Sequence, residues 1–580
     1  MIRKLSLSRR AVAWLCALLL AAGVLPMYAL ALYNHAFYDD FGFSLLTRNA
    51  WQSAGSVLAV LEAAVRNTVG IRQTWEGTYA TSFLSTFQPA VFGEGAYWVT
   101  TFLLLTVFLL AVWFFLRQTL KGIYGMDRAS VTATFGILGF VLVQFVPDAA
   151  EAFYWFNGGV AYTLLWAILL LWAGVWLRLE RAAKRSRAML TYLLLLALTV
   201  LVGGGKYSTV LFALLLALCF TGWAFLSRRP RRWAYLSLTV VLCACLFFSA
   251  SAPGNGVRAQ TLSGGMSAPK AVLEAVYFGL ALIGHSVSLP LLAALALMVP
   301  LSAPALRQSG LRFAHPLWAT GIAVCLFCAQ LAPTLYTGNY LGDGRVLNTY
   351  YYTFVIMAAQ LTLYWTGWCL RRGARGLAPP AANGTGPGIA PTAADAPSDA
   401  RAPLWMLEPA PGEGLPSDGK PPVSADGMPP ATANGARTDS PSGDTATRPA
   451  QAASPKAEQG LRAVTLAVVA GMLLLGSMAF RPDGAQSYGP QNMAGGSALR
   501  ALVNGQAAAY DQAMDARDAM LNDPALAEVT LTPVADAPAS FMGDALTGDN
   551  LDYVLSLYAE YYHKATVRVA ETEADDAAAR

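Results

Sequence analysis

The sequence predicts an all-α polytopic membrane protein of about eleven transmembrane helices, and three observations predict it. Only 13% of the 580 residues are charged, where a soluble chain of this size carries roughly a quarter. Hydrophobic residues make up 55% and stand in unbroken runs of about 20, the length that crosses a bilayer. Lysine and arginine alternate between abundant and scarce in the segments that part those runs. Together these exclude a soluble enzyme, a nucleic-acid binder, a coiled coil and a disulfide-rich secreted domain.

In chain order the runs lie near 11–33, 96–116, 129–147, 160–177, 188–204, 207–226, 233–250, 277–299, 316–335, 350–370 and 461–480. Ala11–Leu32 follows Arg3, Lys4, Arg9 and Arg10 as a signal peptide would. It exceeds the usual signal core, however, and lacks a small-x-small cleavage site, so an uncleaved first span is expected. Only Gly203-Gly204-Gly205-Lys206 parts the fifth run from the sixth. With the amino terminus inside, the inner segments hold twenty-one Lys and Arg. The outer segments before residue 371 hold seven: Arg48, Arg66, Arg72, Lys206, Arg258, Lys270 and Arg345. The positive-inside rule therefore places the amino terminus in the cytoplasm and the carboxyl terminus outside.

Four regions follow. Residues 1–370 form a transmembrane core of about ten helices, with a long outer loop at 34–95. Residues 371–460 are a Pro/Ala/Gly-rich cytoplasmic linker; 373–460 alone holds sixteen of the thirty-two prolines, too little apolar surface to offset ordering entropy. Residues 461–480 are the last span. Residues 481–580 form a small α/β outer segment with fifteen acidic against six basic residues. Helices are expected over Ala494–Leu521 and Asn550–Tyr562, the latter capped by Asp549 or Asn550, with a strand over Glu528–Val534.

All seven cysteines fall within apolar runs and read as small buried hydrophobes. Cys325-x-x-Cys328 has redox spacing, but a thiolate is disfavoured in hydrocarbon. His35 borders the first outer loop as a spectator, and His285 reads as a packing residue within a span. No His/Asp/Glu spacing resembles a metal cage.

The polar chemistry gathers in the outer loops. The first opens on Tyr38-Asp39-Asp40 and continues with helical periodicity over Ser44–Thr68, then a second helical piece bearing Trp75-Glu76-Gly77-x-Tyr79. Amphipathic pieces with aromatics on one face suit the membrane interface. Trp75, Glu76, Gly77 and Tyr79 read as packing and turn chemistry. Further outer segments carry Asp148-x-x-Glu151 beside Trp155 and Asn157, Lys206-Tyr207, Asn255-x-x-Arg258, and Asp343-x-Arg345-x-x-Asn348. Carboxylates, three isolated cations, glycine-rich turns and aromatics are what a sugar phosphate needs: cations hold phosphate, a carboxylate takes a hydroxyl proton, rings stack on sugars. The bland readings are helix capping by Asp40, an ion pair of Glu151 with a cation such as Lys206, and anchoring of cations to lipid headgroups. No phosphate-binding G-x-x-x-x-G-K-[ST] loop occurs, so nucleotide-driven chemistry is not expected.

On these residues the chain resembles the GT-C class of membrane glycosyltransferases. More closely it resembles a family of uncharacterised bacterial multi-pass membrane proteins grouped with them. The resemblance covers about residues 10–370. It implies a bacterial cytoplasmic-membrane enzyme that moves a sugar from a polyprenyl-phosphate donor to an acceptor glycan, lipid or protein outside the cytoplasm. Asp39 or Asp40 would be the catalytic base or hold Mg²⁺ or Mn²⁺, and Glu151 would assist. Lys206, Arg258 and Arg345 would hold the lipid phosphate. Trp155, Asn157, Tyr207, Asn255, Asp343 and Asn348 would contact the rest of the substrate. Rival readings are a flippase for lipid-linked sugars, which should show internal symmetry and mid-span charge, a polysaccharide polymerase or ligase, and a non-catalytic scaffold.

Overall fold

A computed structural model describes residues 8–261, 265–338, 340–376, 455–474, 493–534, 536–547 and 550–570. Most of the expected linker, 377–454, and residues 475–480 of the last run lie outside them. Among the described residues nine helices are long and apolar enough to cross a membrane. Two shorter apolar helices, Arg128–Gln144 and Ala463–Met472, coincide with two further runs. The chain is thus all-helical in its apolar part, as its composition requires.

Phe156–Glu180 is the central helix. In its most apolar stretch 83% of the residues are buried, against 28–44% in the other eight. Its residues Trp166, Trp172 and Trp176 fill the bundle interior. The peripheral helices instead leave residues such as Leu190, Leu273 and Trp318 exposed, as lipid-facing surfaces should be. The first helix, Arg9–Ala31, is started by Ser8, whose hydroxyl accepts from Ala11 N at 3.2 Å. It lies against Arg128–Gln144 so closely that a Cβ on Gly136 would meet the Cys16 backbone at 2.6 Å. Small residues at such crossings let helix backbones approach.

One run departs from its expected boundaries. The stretch 277–299 is not one helix but parts of two, Ala268–Ser286 and Leu289–Gln308. Pro290 has no N–H to continue a helix, so it occupies the first turn of a new one, where the Ser288 hydroxyl accepts from Leu291 N. His285 lies in the last turn of the earlier helix, its Nδ1 2.8 Å from Ala281 O.

The first outer loop holds three helices rather than two. Asp39–Ala54 ends at Gly55, whose φ of +57° suits glycine, and Val57–Thr74 follows at once, then Tyr79–Ser85. Val57, Leu58, Leu61, Val65 and Val69 form an exposed apolar stripe on the second of these, as on an interfacial helix.

The carboxyl-terminal segment departs similarly. The expected helix 494–521 is broken at Gly505, φ +80°, into Ala494–Val503 and Gln506–Asn522. Strand β1, Glu528–Leu531, pairs in parallel with β2, Thr566–Val569, and Leu551–Tyr561 forms the connecting helix. Asn550 precedes that helix without capping it through its side chain, and Asp549 lies outside the described residues. The segment sits on the first loop: Phe41 meets the rings of Tyr558 and Tyr561 edge-on, and Tyr38 contacts Tyr553. Gln144 ties it to the core, donating to Gly23 O at 3.1 Å and accepting from Gly495 N at 2.8 Å.

Candidate functional site

Five of the segments between the apolar helices bring their ionic side chains to one place. The first ionic node forms around Glu76. A Cβ on Gly77 would lie 1.9 Å from Ser249 O, and one on Gly254 would lie 2.5 Å from Trp75 N. Only glycines allow these backbones so close, and the approach sets Glu76 beside Arg258. Lys206 Nζ lies 2.8 Å from both Glu76 oxygens, Arg258 Nη1 2.5 Å from Oε2, and Thr78 Oγ1 donates to Oε1 at 2.6 Å. Glu76 is 3% exposed. Burial pushes its carboxyl up, but Lys206 and Arg258 outweigh that and hold it below the ordinary carboxylate range. Lys206 is itself shifted down, by burial first.

The second node forms around Arg345. Its Nη1 donates to Glu151 Oε1 at 2.6 Å, its Nη2 to Asp343 Oδ2 at 2.7 Å, and its backbone N–H to Glu151 Oε2. Glu151 is raised above its ordinary value, by burial first, against the lowering effect of Arg345. Its partner is therefore Arg345, while Lys206 serves Glu76. The guanidinium lies 5.2 Å from the Trp155 ring centroid. Tyr162 spans the two nodes, its ring centroid 5.9 Å from Lys206 Nζ and 6.0 Å from Arg345 Cζ.

Asp39 and Asp40 differ sharply although adjacent. Both are delivered by Tyr38, whose φ of +48° is uncommon for a residue with a side chain. Asp40 is fully buried. It accepts from Phe37 N at 3.1 Å, Asn157 N at 3.0 Å and the Tyr97 hydroxyl. Burial pushes its carboxyl up to about 7, and these three donors restrain the rise. It joins the first loop to the Trp155–Asn157 turn, leaving little of it for a substrate or an ion.

Asp39 is partly buried and, among the described residues, has no hydrogen-bonded or ion-paired partner. Burial raises its pKa; Arg345, Lys206 and Arg258 lower it, and Glu76 opposes them. It therefore lies in the field of both nodes while belonging to neither. Of the two aspartates it is the one whose oxygens are not taken up by protein donors. The Asn157 amide nitrogen is also without a partner, and buried, so the site keeps an unused donor beside Asp40.

Other expected contacts serve as scaffold. Asn255 accepts from Gly77 N at 3.1 Å and Tyr207 Oη at 3.2 Å, and donates to Ser249 O at 2.9 Å. The Tyr207 hydroxyl also reaches Ser249 O at 3.0 Å. Asn348 clasps the Asp148 backbone, accepting from its N at 2.8 Å and donating to its O at 2.7 Å. The Trp155 indole donates to Phe37 O at 3.2 Å. These bonds fix the loops that present the ionic groups.

Glu76 is the residue that sequence reasoning misplaced as turn chemistry. A signal was present: Lys206 and Arg258 are isolated cations in otherwise Lys/Arg-poor segments, and a part-buried cation calls for a carboxylate partner. Comparison of the chain with family models, curated proteins and solved structures finds no match in any of the three.

Proposed function

We propose that the chain is a membrane-embedded glycosyltransferase, moving a sugar from a polyprenyl-phosphate donor to an acceptor glycan, lipid or protein at the outward face of a bacterial cytoplasmic membrane. Asp39 carries the reading: an unpaired carboxylate within the field of Lys206, Arg258 and Arg345. Two cations share one carboxylate at the Glu76 node, leaving a net positive charge suited to a phosphodiester. Two carboxylates share Arg345 at the other node, leaving a negative charge suited to sugar hydroxyls and to positive charge developing at C1.

A lipid tail also has a place. An apolar cavity of about 310 Å³ inside the bundle is lined by Trp166, Phe212, Thr353 and Met357, among others. Trp166 is one helical turn from Tyr162, and Thr353 lies about 12 Å along its helix from Arg345. Charged head region and apolar chamber thus share the same helices. In the step itself the acceptor oxygen attacks C1 and gives its proton to Asp39. The C1–O bond to phosphate breaks, its electron pair leaves with the lipid phosphate, and Lys206 and Arg258 stabilise that charge. The Lys/Arg bias of the loops supports the outward placement.

The test is transfer from radiolabelled polyprenyl-phosphate sugar by purified protein. Wild type is expected to transfer, and Asp39→Asn to lose about 10²–10⁴-fold, the usual worth of a general base. Equal turnover in Asp39→Asn would reject the assignment. Passage of the lipid-linked sugar across liposomes without transfer would replace the reading by a flippase.

A further inference from the structure

The strongest unassigned feature lies four residues before Asp39, where the first loop meets the carboxyl-terminal segment. His35 is held at the loop's start, next to Asn34, whose amide donates to Tyr154 O at 2.6 Å. Its side chain is 9% exposed. Both ring nitrogens face carboxylates of the helix Gln506–Asn522. Nε2 lies 2.9 Å from Asp511 Oδ1 and 4.0 Å from Asp515 Oδ1, and Nδ1 lies 3.4 Å from Asp518 Oδ2. The spacing i, i+4, i+7 puts all three aspartates on one helix face, where like charges repel.

A neutral imidazole carries one N–H. If Nδ1 donates to Asp518, the Nε2 lone pair faces the Asp511 lone pairs at 2.9 Å and a cation fits between them; in the other tautomer the Nδ1 lone pair faces Asp518 at 3.4 Å. A proton would satisfy one carboxylate. It would leave Asp515, aimed at the same nitrogen, without a role. A metal ion engages His35, Asp511 and Asp515 together: ligand bonds of about 2.0–2.2 Å put donor atoms about 3 Å apart in octahedral and about 3.4 Å apart in tetrahedral coordination, close to the 2.9 Å between Nε2 and Asp511 Oδ1. The donor atoms of His35, Asp511 and Asp515 all lie within 4.8 Å of one another, and exposed Asp515 has room to close in.

We propose that His35 Nε2, Asp511 and Asp515 hold a divalent first-row ion, Zn²⁺ or Mn²⁺, that fastens the carboxyl-terminal segment to the first outer loop. Asp518 on Nδ1 is the outer carboxylate that fixes the ring's tautomer and orientation. One imidazole and two carboxylates leave coordination positions for water, and the mixed N,O set suits these ions over Ca²⁺. The site is independent of the transferase reading. It ties together two segments 476 residues apart in sequence, and with them the roof formed over Tyr38 by Tyr553.

The experiment uses the full chain in detergent, stripped with chelator and titrated with MnCl₂ or ZnCl₂. One ion per chain is expected, with ¹⁴N coupling from one imidazole in the Mn²⁺ spin-echo spectrum. His35→Gln should abolish that coupling. Asp515→Asn removes a 72% exposed side chain and should leave the fold intact while weakening binding at least tenfold. Absence of stoichiometric binding, or equal binding in both variants, would overturn the proposal. So would a junction whose stability follows protonation of His35 and ignores added metal.

Discussion

The two ionic nodes have opposite stoichiometry. At the first, Lys206 and Arg258 converge on Glu76; at the second, Glu151 and Asp343 converge on Arg345. Each is an incomplete neutralisation in a part-buried setting, which is poor design for stability alone. Burying charge costs several kcal/mol per ion and is recovered only when pairing is complete. Two mismatched nodes side by side, spanned by Tyr162, instead make a polarised surface. The lesson is that the carboxylates and cations of this face do different work according to whether they are committed. Glu76 and Glu151 organise the cations, Asp40 organises backbone, and Asp39, beside both nodes, is committed to neither.

The largest effect is expected at Glu76. Glu76→Gln leaves Lys206 buried beside Arg258 with no counter-charge and should destabilise by about 3 kcal/mol or more, read as a lowered Tm. Lys206 bears most of that cost, because Arg258 is 37% exposed and can turn to water. An unchanged Tm would mean that the node is not formed. Arg345→Gln should cost about 2–3 kcal/mol, less because Glu151 can take up a proton once the guanidinium is gone. The Glu151 carboxyl is already raised, and the substitution raises it further. The variant's penalty should therefore be greater at pH 8 than at pH 5.

Asp40 comes next and tests the difference between binding substrate and holding backbone. Its folded pKa, about 7, stands above the 3.8 of a free aspartate, so the folded chain holds this proton over a range where the unfolded chain has lost it. The stability it contributes is full below 3.8 and is lost as pH rises through 7. Asp40→Asn should flatten that part of the pH profile. It should also cost about 1–3 kcal/mol at pH 5, because the amide must set N–H against either Phe37 N–H or Asn157 N–H.

Much of the apolar architecture was legible, because the period and length of an apolar run are local properties. The central place of Phe156–Glu180 was not: its length and leucine content resemble those of its neighbours, and only packing shows which helix is surrounded. The break at Ser288-Leu289-Pro290 was signalled by its proline, yet the hydropathy of the flanking residues hides it from a length criterion. Asp39, Glu151, Lys206, Arg258 and Arg345 could be gathered because charge outside the membrane is scarce and so each instance stands out. Their pairing could not, because Glu76 and Lys206 are 130 residues apart and nothing local links them. His35 looked solitary for the same reason. Its partners, spaced at 511, 515 and 518, mark one helix face, but the sequence does not say what that face meets.

Asp39 gives the smallest expected stability effect and the sharpest use of the comparison. Asp39→Asn removes no hydrogen bond and no ion pair, and it relieves a carboxylate whose pKa burial has raised. The Tm should therefore move by no more than the equivalent of about 0.5 kcal/mol, the range of an uncommitted surface site. A first-turn aspartate does favour the helix Asp39–Ala54 through its dipole, worth about 0.3–1 kcal/mol, and this offsets part of the relief. The same exchange at the neighbouring position sets an amide N–H against a backbone N–H and disrupts at least one of three bonds. Two adjacent aspartates, changed in the same way, should thus separate by about 1–3 kcal/mol in stability. If Asp39→Asn proves as destabilising as Asp40→Asn, Asp39 has a structural partner of its own, and the proposed transfer loses its base.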